Sequence, residues 1–501
     1  MTVRFYRKGK LVEVEEADPA DVLQQSISDA FEAQGFIQAL EAGPEDAPEP
    51  VLPSMDDSVR ENLRKLDLNS VLPRTPGARS VADRLKDQWI TENGELKIVA
   101  RGLVLLFDPE LSPDQCEALI KQFGLVRLRP LKYGRNLYET RVPEGVSAAE
   151  KSVELQENPD NRVLNADPVV LERLESRSGE PPRTAFDKQW QWPNISAPQA
   201  WQHTRGEHAL VAVIDRGFLV HDLLRPNVDF TASGRFDAQG QFYNDLGGIP
   251  PYRHGTFCAA QVAASGHNGV DVCGVAPKAK LMLLSTPGAY GGWLSPLVIA
   301  DAVSYAADPL TAYEDGAVPP PGLKAADVLT CAEGPKNGVG DLHLALEKAF
   351  LFADEKKLPM FWAVANENVE LEKDEWVSHP SLIRVGGSTH VNTLAYPCAF
   401  GPELDFLAPG AYVHNIYPRK PASASGTSFA TPIAAGIGAL VLSKAPALSV
   451  SELRSLLRKS CTSISPIEEE GGRHVRVGSG ILDAADAVHL ARLAAGEIPG
   501  T

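Results

Sequence analysis

A-S-G-T-S-F-A-T-P-I-A-A-G, residues 424–436, crowds four hydroxyl side chains (Ser425, Thr427, Ser428, Thr431) around one glycine and then runs into small apolar residues. The run from Ile433 to Leu440 reads as a tightly packed, buried helix, and the residues ahead of it read as the turn that opens it. Two readings fit the hydroxyls. Ser and Thr cap helices by accepting hydrogen bonds from unpaired first-turn N–H groups. Alternatively one of them is a nucleophile, placed where the helix dipole and free N–H groups favour developing negative charge. Taken alone the stretch favours capping, and only a base, an orienting acid and an oxyanion donor elsewhere in the chain would change that.

Strand-like runs supply the frame in which to look for them. A-L-V-A-V-I-D (209–215), A-K-L-M-L-L-S-T (279–286), A-D-V-L-T-C-A (326–332) and P-M-F-W-A-V-A-N (359–366) are short continuous apolar runs, the pattern of strands buried on both faces. Helical patterns lie between them, S-P-L-V-I-A-D-A-V-S-Y-A-A and G-D-L-H-L-A-L-E-K-A-F-L-F-A-D-E-K among them. The alternation predicts an α/β fold with a parallel central sheet and helices on both faces over residues 191–495. Functional groups in such folds collect at the carboxyl ends of strands.

Asp215 ends the first of these runs and Asn366 ends the last, while His254 opens the small-residue segment H-G-T-F-C-A-A. Each alone has an ordinary reading, as a turn former, a turn residue and a helix-start histidine. Together with Ser428 they make a nucleophile, a base, an orienting acid and an amide able to face an oxyanion. The order Asp, His, Ser is one of three in which this triad is built.

These motifs, V-I-D-R-G-F (213–218), H-G-T-F-C-A-A (254–260), A-V-A-N-E-N (363–368) and G-T-S-F-A-T-P (426–432), resemble those of the subtilisin-like serine peptidases. G-V-A-P-K-A (274–279) and G-P-E-L-D-F-L-A-P-G (401–410) add to the likeness, which covers roughly residues 185–490. The resemblance implies a serine endopeptidase with catalytic Asp215, His254 and Ser428, oxyanion donor Asn366, and protein or peptide substrates. It implies no required cofactor; family members often hold structural calcium, for which no ligand cluster is legible. It aligns Ala332, Glu333 and Gly334 with the substrate-binding edge, where Glu333 brings a negative charge and suggests a preference for basic residues. Arg216 stands where the family has Thr or Ser; two readings stay open for its guanidinium, pairing with a carboxylate or pointing to solvent, and solvent is the expected one. Cys258 falls four residues after His254, on the same helical face, where a buried inert thiol is expected. The alternative function is a catalytically silent, regulatory or binding protein of the same fold; an esterase using the same triad is a third.

Upstream, residues 96–172 alternate β-α-β-β-α-β, the split βαβ or ferredoxin-like arrangement, with Ser112, Pro113 and Gln115 capping the first helix and Ser147 with Glu150 the second. The resemblance gives this small α+β module the part of a propeptide and intramolecular inhibitor, cut off by self-processing in the junction 173–190. Residues 1–95 read as an extension of unknown role: a hairpin (V-R-F-Y-R-K, K-L-V-E-V-E-E), a helix-like stretch within 21–40 and a linker over 41–57 with six carboxylates and four prolines. A loop over 306–325 with three successive prolines reads as an insertion.

The net charge of −17 argues against a nucleic-acid surface. No stretch reaches the roughly 20 apolar residues of a membrane span. Six cysteines without a C-x-x-C pair lack zinc-ribbon spacing and a disulfide framework. With no signal peptide legible at the start, the expected location is the cytoplasm.

Overall fold

The computed structural model of the chain describes residues 2–8, 10–17, 88–92, 95–158, 162–176, 189–246, 253–266, 272–286, 293–313, 318–335, 342–367, 369–371, 375–395, 398–417, 420–464 and 476–497. The helix-like stretch within 21–40, the acidic segment 41–57 and most of the junction 173–190 lie outside the described residues. The chain divides into two compact units, one of Met1–Arg173, Gly288–Pro296 and His343–Ala345 and one of Leu174–Pro287, Leu297–Leu342 and Leu346–Thr501.

The first unit is a sheet covered by two helices. Strands β1 (Thr2–Arg7), β2 (Lys10–Glu16), β3 (Gln88–Glu92) and β4 (Glu95–Phe107) follow one another as antiparallel neighbours. Helix α1 (Pro113–Gln122), strands β5 (Val126–Pro130) and β6 (Leu137–Arg141), helix α2 (Ala148–Gln156) and strand β7 (Val163–Ser176) as far as Arg173 complete it. β4 pairs with β3 through its first half, with β6 through its second, and with β7 along most of its length, while β5 pairs with β6. The order β7-β4-β6-β5 with two helices is the split βαβ arrangement. Leu103, Leu105 and Phe107 alternate from β4 into a core shared with Cys116, Ile120 and Leu155, as a half-covered strand requires. Ser112 and Gln115 close a reciprocal capping box on α1, with Pro113 at its first turn.

Strands β1 and β2, which the sequence places in an extension, pair into this sheet. Phe5 is fully buried in the same core, and the Tyr6 N–H donates to Ser152 Oγ of α2 at 2.9 Å. The hairpin is thus built into the sheet, whose boundary falls outside the range 96–172.

The second unit is built on a parallel sheet ordered β10-β9-β11-β8-β13-β15-β16-β17-β21-β20. Its strands are β8 (Leu210–Asp215), β9 (Gly234–Phe236), β10 (Phe242–Tyr243), β11 (Lys280–Ser285), β13 (Val328–Cys331), β15 (Met360–Ala363), β16 (Leu382–Ser388), β17 (Phe406–Pro409), β20 (Cys461–Thr462) and β21 (Ile481–Leu482). Only the edge strands β10 and β20 run antiparallel to their neighbours. β8, β11, β13 and β15 coincide with the apolar runs, and every residue of β8, β13 and β15 is buried. The helices that the argument needs are α3 (Arg253–Ala263), α4 (Pro296–Ala307), α5 (Leu344–Glu355), α6 (Thr427–Lys444), α7 (Val450–Lys459) and α8 (Ala484–Ala494). α6 is buried from Thr427 to Val441 and lies against α3, α8, β13, β15 and β16, which is why its residues are small and apolar all round.

Among the described residues no helix is long and apolar enough to cross a membrane.

Candidate active site

β8 delivers Asp215 at its carboxyl end, fully buried, and the first turn of α3 sets His254 beside it. The His254 Nδ1 lies 2.8 Å from Asp215 Oδ2, and Asp215 Oδ1 accepts from the Arg216 N–H at 2.8 Å. Gly255 permits this approach: a Cβ there would clash with Gly217 O and meet Asp215 Cβ at 2.9 Å. Burial, the largest influence on the His254 ring, disfavours its charged form. The Asp215 carboxylate, by charge and hydrogen bond, outweighs it with help from Glu333 and against Arg216, so the pKa sits above the ordinary 6.5.

Ser428 is the second residue of α6 and wholly buried. The surrounding hydroxyls do not cap the helix. Gly426 is the N-cap, with φ +150° and no side chain to offer, a backbone conformation that favours glycine. Ser425 Oγ accepts from the Tyr412 N–H, Thr427 Oγ1 donates to Val364 O and Asn366 Oδ1, and Thr431 Oγ1 donates to Thr427 O. Those three hydroxyls bind the turn to its neighbours.

Two contacts link the start of α6 to α3. The Phe429 ring lies 5.3 Å from the His254 ring, and the Cys258 thiol donates to Ser428 O at 3.4 Å. Pro432 explains the second. It lies inside α6 rather than in the free first turn, and it lacks the N–H that would normally bond the carbonyl four residues back, which is Ser428 O. The Cys258 S–H answers that carbonyl from α3. Burial first, then the nearby Asp215 carboxylate, pushes the Cys258 thiol well up, so it keeps its proton.

Asn366 follows β15. Its Oδ1 accepts from the Thr427 N–H at 2.9 Å and Thr427 Oγ1 at 3.1 Å. With the oxygen so engaged, the amide hydrogens turn away from Thr427. The structure therefore brings Asp215, His254, Asn366 and the α6 turn into one connected set.

The edge segment also assembles, with one change. Ala332 and Glu333 are buried, and strand β14 (Glu333–Pro335) pairs antiparallel with Leu174–Ser176, matching Glu333 to Ser176, Gly334 to Glu175 and Pro335 to Leu174. Arg216 turns inward and is only partly exposed. Its Nη2 and Nε lie 3.0 and 3.2 Å from Glu333 Oε2, with the Glu333 side chain 0% exposed and that of Arg216 16%. Two residues 117 positions apart pair through one carboxylate oxygen, a partnership no local pattern announces. The negative charge expected at the cleft is thereby matched by a positive one.

Among the described residues one group of acids, histidines and cysteines brings its ligand atoms within 4.8 Å, Asp215 with His254 and Cys258. Its members are bonded to one another and the thiol is held neutral, which does not suit a resident ion. A carboxylate on Nδ1 instead fixes the imidazole tautomer and leaves Nε2 as a base.

Residues 206–480 match the Subtilase family of peptidases S8. The chain is 25% identical over 502 residues to the "Calcium-dependent protease" of Trichormus variabilis, which covers 88% of this chain and 69% of that one. It is 27% identical over 275 residues to "Thermitase" of Thermoactinomyces vulgaris, covering 54% and 87%. Among solved structures, fervidolysin from Fervidobacterium pennivorans superposes with a TM-score of 0.63 at 18% identity, covering 79% of this chain and 62% of that chain. That last likeness is one of fold.

Proposed function

The chain belongs to the subtilase family, and from that premise we propose that it hydrolyses peptide bonds as a serine endopeptidase and matures by cutting itself. Ser428 Oγ attacks the scissile carbonyl as His254 takes its proton; His254 then protonates the leaving amine, and water releases the acyl group by the same steps in reverse. Asp215 holds the histidine and stabilises the imidazolium. The Asn366 amide and the Ser428 N–H serve the oxyanion. The observation that carries this reading is the 2.8 Å bond between His254 and Asp215, on a helix whose Cys258 also holds the Ser428 carbonyl.

Self-processing is supported by the antiparallel ladder of Leu174–Ser176 on Glu333–Pro335, since an extended peptide main chain binds a cleft edge in this way. The preceding residues would act as the intramolecular inhibitor, and the cut is expected after Ser176. The chemical steps call for no cofactor. Two relatives are named calcium-dependent proteases, and calcium in this chain would serve stability. All six cysteines carry free thiols, which fits the cytoplasm as the proposed location.

A fluorophosphonate probe tests the nucleophile. Labelling should map to Ser428 and vanish in His254→Ala, with hydrolysis of an unfolded protein substrate lost in parallel. Labelling elsewhere, or hydrolysis that survives Ser428→Ala, would contradict the reading.

A further inference from the structure

The Arg216–Glu333 pair has no part in the steps above, yet it joins two parts of the site that must act together. Arg216 is covalently next to Asp215 and gives it a backbone hydrogen bond. Glu333 heads β14, the strand on which Leu174–Ser176 pair. Its backbone oxygen accepts from Trp362 Nε1 at 2.9 Å, so the residue is held from β15 as well. A buried ion pair is a poor source of net stability, because desolvating both charges offsets their attraction. What such a pair does supply is register. Glu333 Oε1, buried and without a hydrogen-bond partner, shows that the side chain is placed for Arg216 at the expense of its second oxygen.

We propose that Arg216 and Glu333 are positioning residues of the peptidase site, a clamp that fixes the substrate-pairing strand β14 against the segment carrying Asp215. The proposal rests on the serine peptidase reading. Where a small hydroxyl residue is expected after the aspartate, this chain has a long cation that reaches across to Glu333. The clamp is also electrically coupled to the base. The charged and titratable groups facing the His254 ring are Asp215 and Arg216 from the end of β8, Cys258 from α3 and Glu333 from β14. Of the clamp's two members, Glu333 favours the imidazolium and Arg216 opposes it.

The test uses the full chain with Arg216→Met, Glu333→Gln and the double variant Arg216→Met/Glu333→Leu, assayed on a peptide substrate across pH. Loosening β14 weakens main-chain pairing in ground and transition states alike, so the loss should fall on KM. KM should rise about tenfold in Arg216→Met and in the double variant, the worth of one or two lost hydrogen bonds, and less in Glu333→Gln, which keeps an acceptor for Arg216. The acid limb of kcat/KM should move up in pH for Arg216→Met and down for Glu333→Gln. Arg216→Met leaves a buried carboxylate unpaired; should it fail to fold, the double variant, which strands no charge, carries the KM test. KM within twofold of wild type in the folded variants, or acid limbs that move in the same direction, would overturn the clamp and leave the pair a structural one. A wild-type chain without Ser428-dependent hydrolysis would instead overturn the peptidase reading itself.

Discussion

Asn366 does two jobs that one substitution pair can separate. Its oxygen anchors the α6 turn by accepting from the Thr427 N–H and hydroxyl, and its amide hydrogens are the proposed oxyanion donors. Asn366→Ala removes both. The buried Thr427 N–H then loses its acceptor, while the hydroxyl keeps Val364 O, which costs about 1–3 kcal/mol of stability. Losing one preorganised oxyanion donor costs on the order of 10²–10³ in kcat, a magnitude carried over from subtilisin. Asn366→Asp keeps an acceptor for Thr427 but has no hydrogen to give, and it puts a negative charge where the oxyanion develops. Its stability should therefore stay within about 1 kcal/mol of wild type while kcat falls at least as far as in the alanine variant. Thermal melts and steady-state kinetics on one peptide substrate read both effects. An aspartate variant that folds normally and keeps kcat within threefold would remove Asn366 from the chemistry and leave it an anchor.

Because Asp215 raises the His254 pKa, and because the base must be neutral, activity is present above that pKa and lost as pH falls through it. Asp215→Asn should lower kcat by about 10⁴ and move the acid limb to lower pH in a kcat/KM profile; an unmoved limb would count against the pairing. Cys258, buried and kept protonated, should resist iodoacetamide in the folded protein at pH 8, and Cys258→Ala should cost about 1 kcal/mol and a few-fold in kcat as the Ser428 carbonyl loses its donor, read by mass spectrometry, melts and kinetics. Asp405 accepts from Arg384, Arg454 and Arg458 in the interior of the second unit. Burial, the largest influence, raises its pKa, but the three arginines outweigh it and hold the carboxylate below its ordinary value, so its contribution is full above about pH 4 and is lost as pH falls through the native pKa. Asp405→Ala should destabilise by about 3–5 kcal/mol in a denaturant titration at pH 7, with a smaller difference at pH 3.

Much of this was legible because it is local. A strand buried on both faces must be continuously apolar, so A-L-V-A-V-I-D and P-M-F-W-A-V-A-N mark β8 and β15 and, at their ends, Asp215 and Asn366. Ser112 and Gln115 announce α1 because a capping box is complete within four residues. Partnerships across the fold leave no such mark. Arg216 looks like a surface cation until Glu333 is placed beside it, and the Ser428 carbonyl needs Cys258 only because Pro432 lies deeper in α6 than its motif suggests. The hairpin of β1 and β2 is readable as a hairpin, but that it extends the module's sheet depends on Phe5 meeting a core assembled from residues about a hundred positions away.

The central claim is that Ser428 cuts this chain, and intact mass over time measures it most directly. Wild type should lose an N-terminal fragment ending just beyond Ser176, while Ser428→Ala stays at full mass under the same conditions. Both proteins remaining whole, or both being cut alike, would contradict the account.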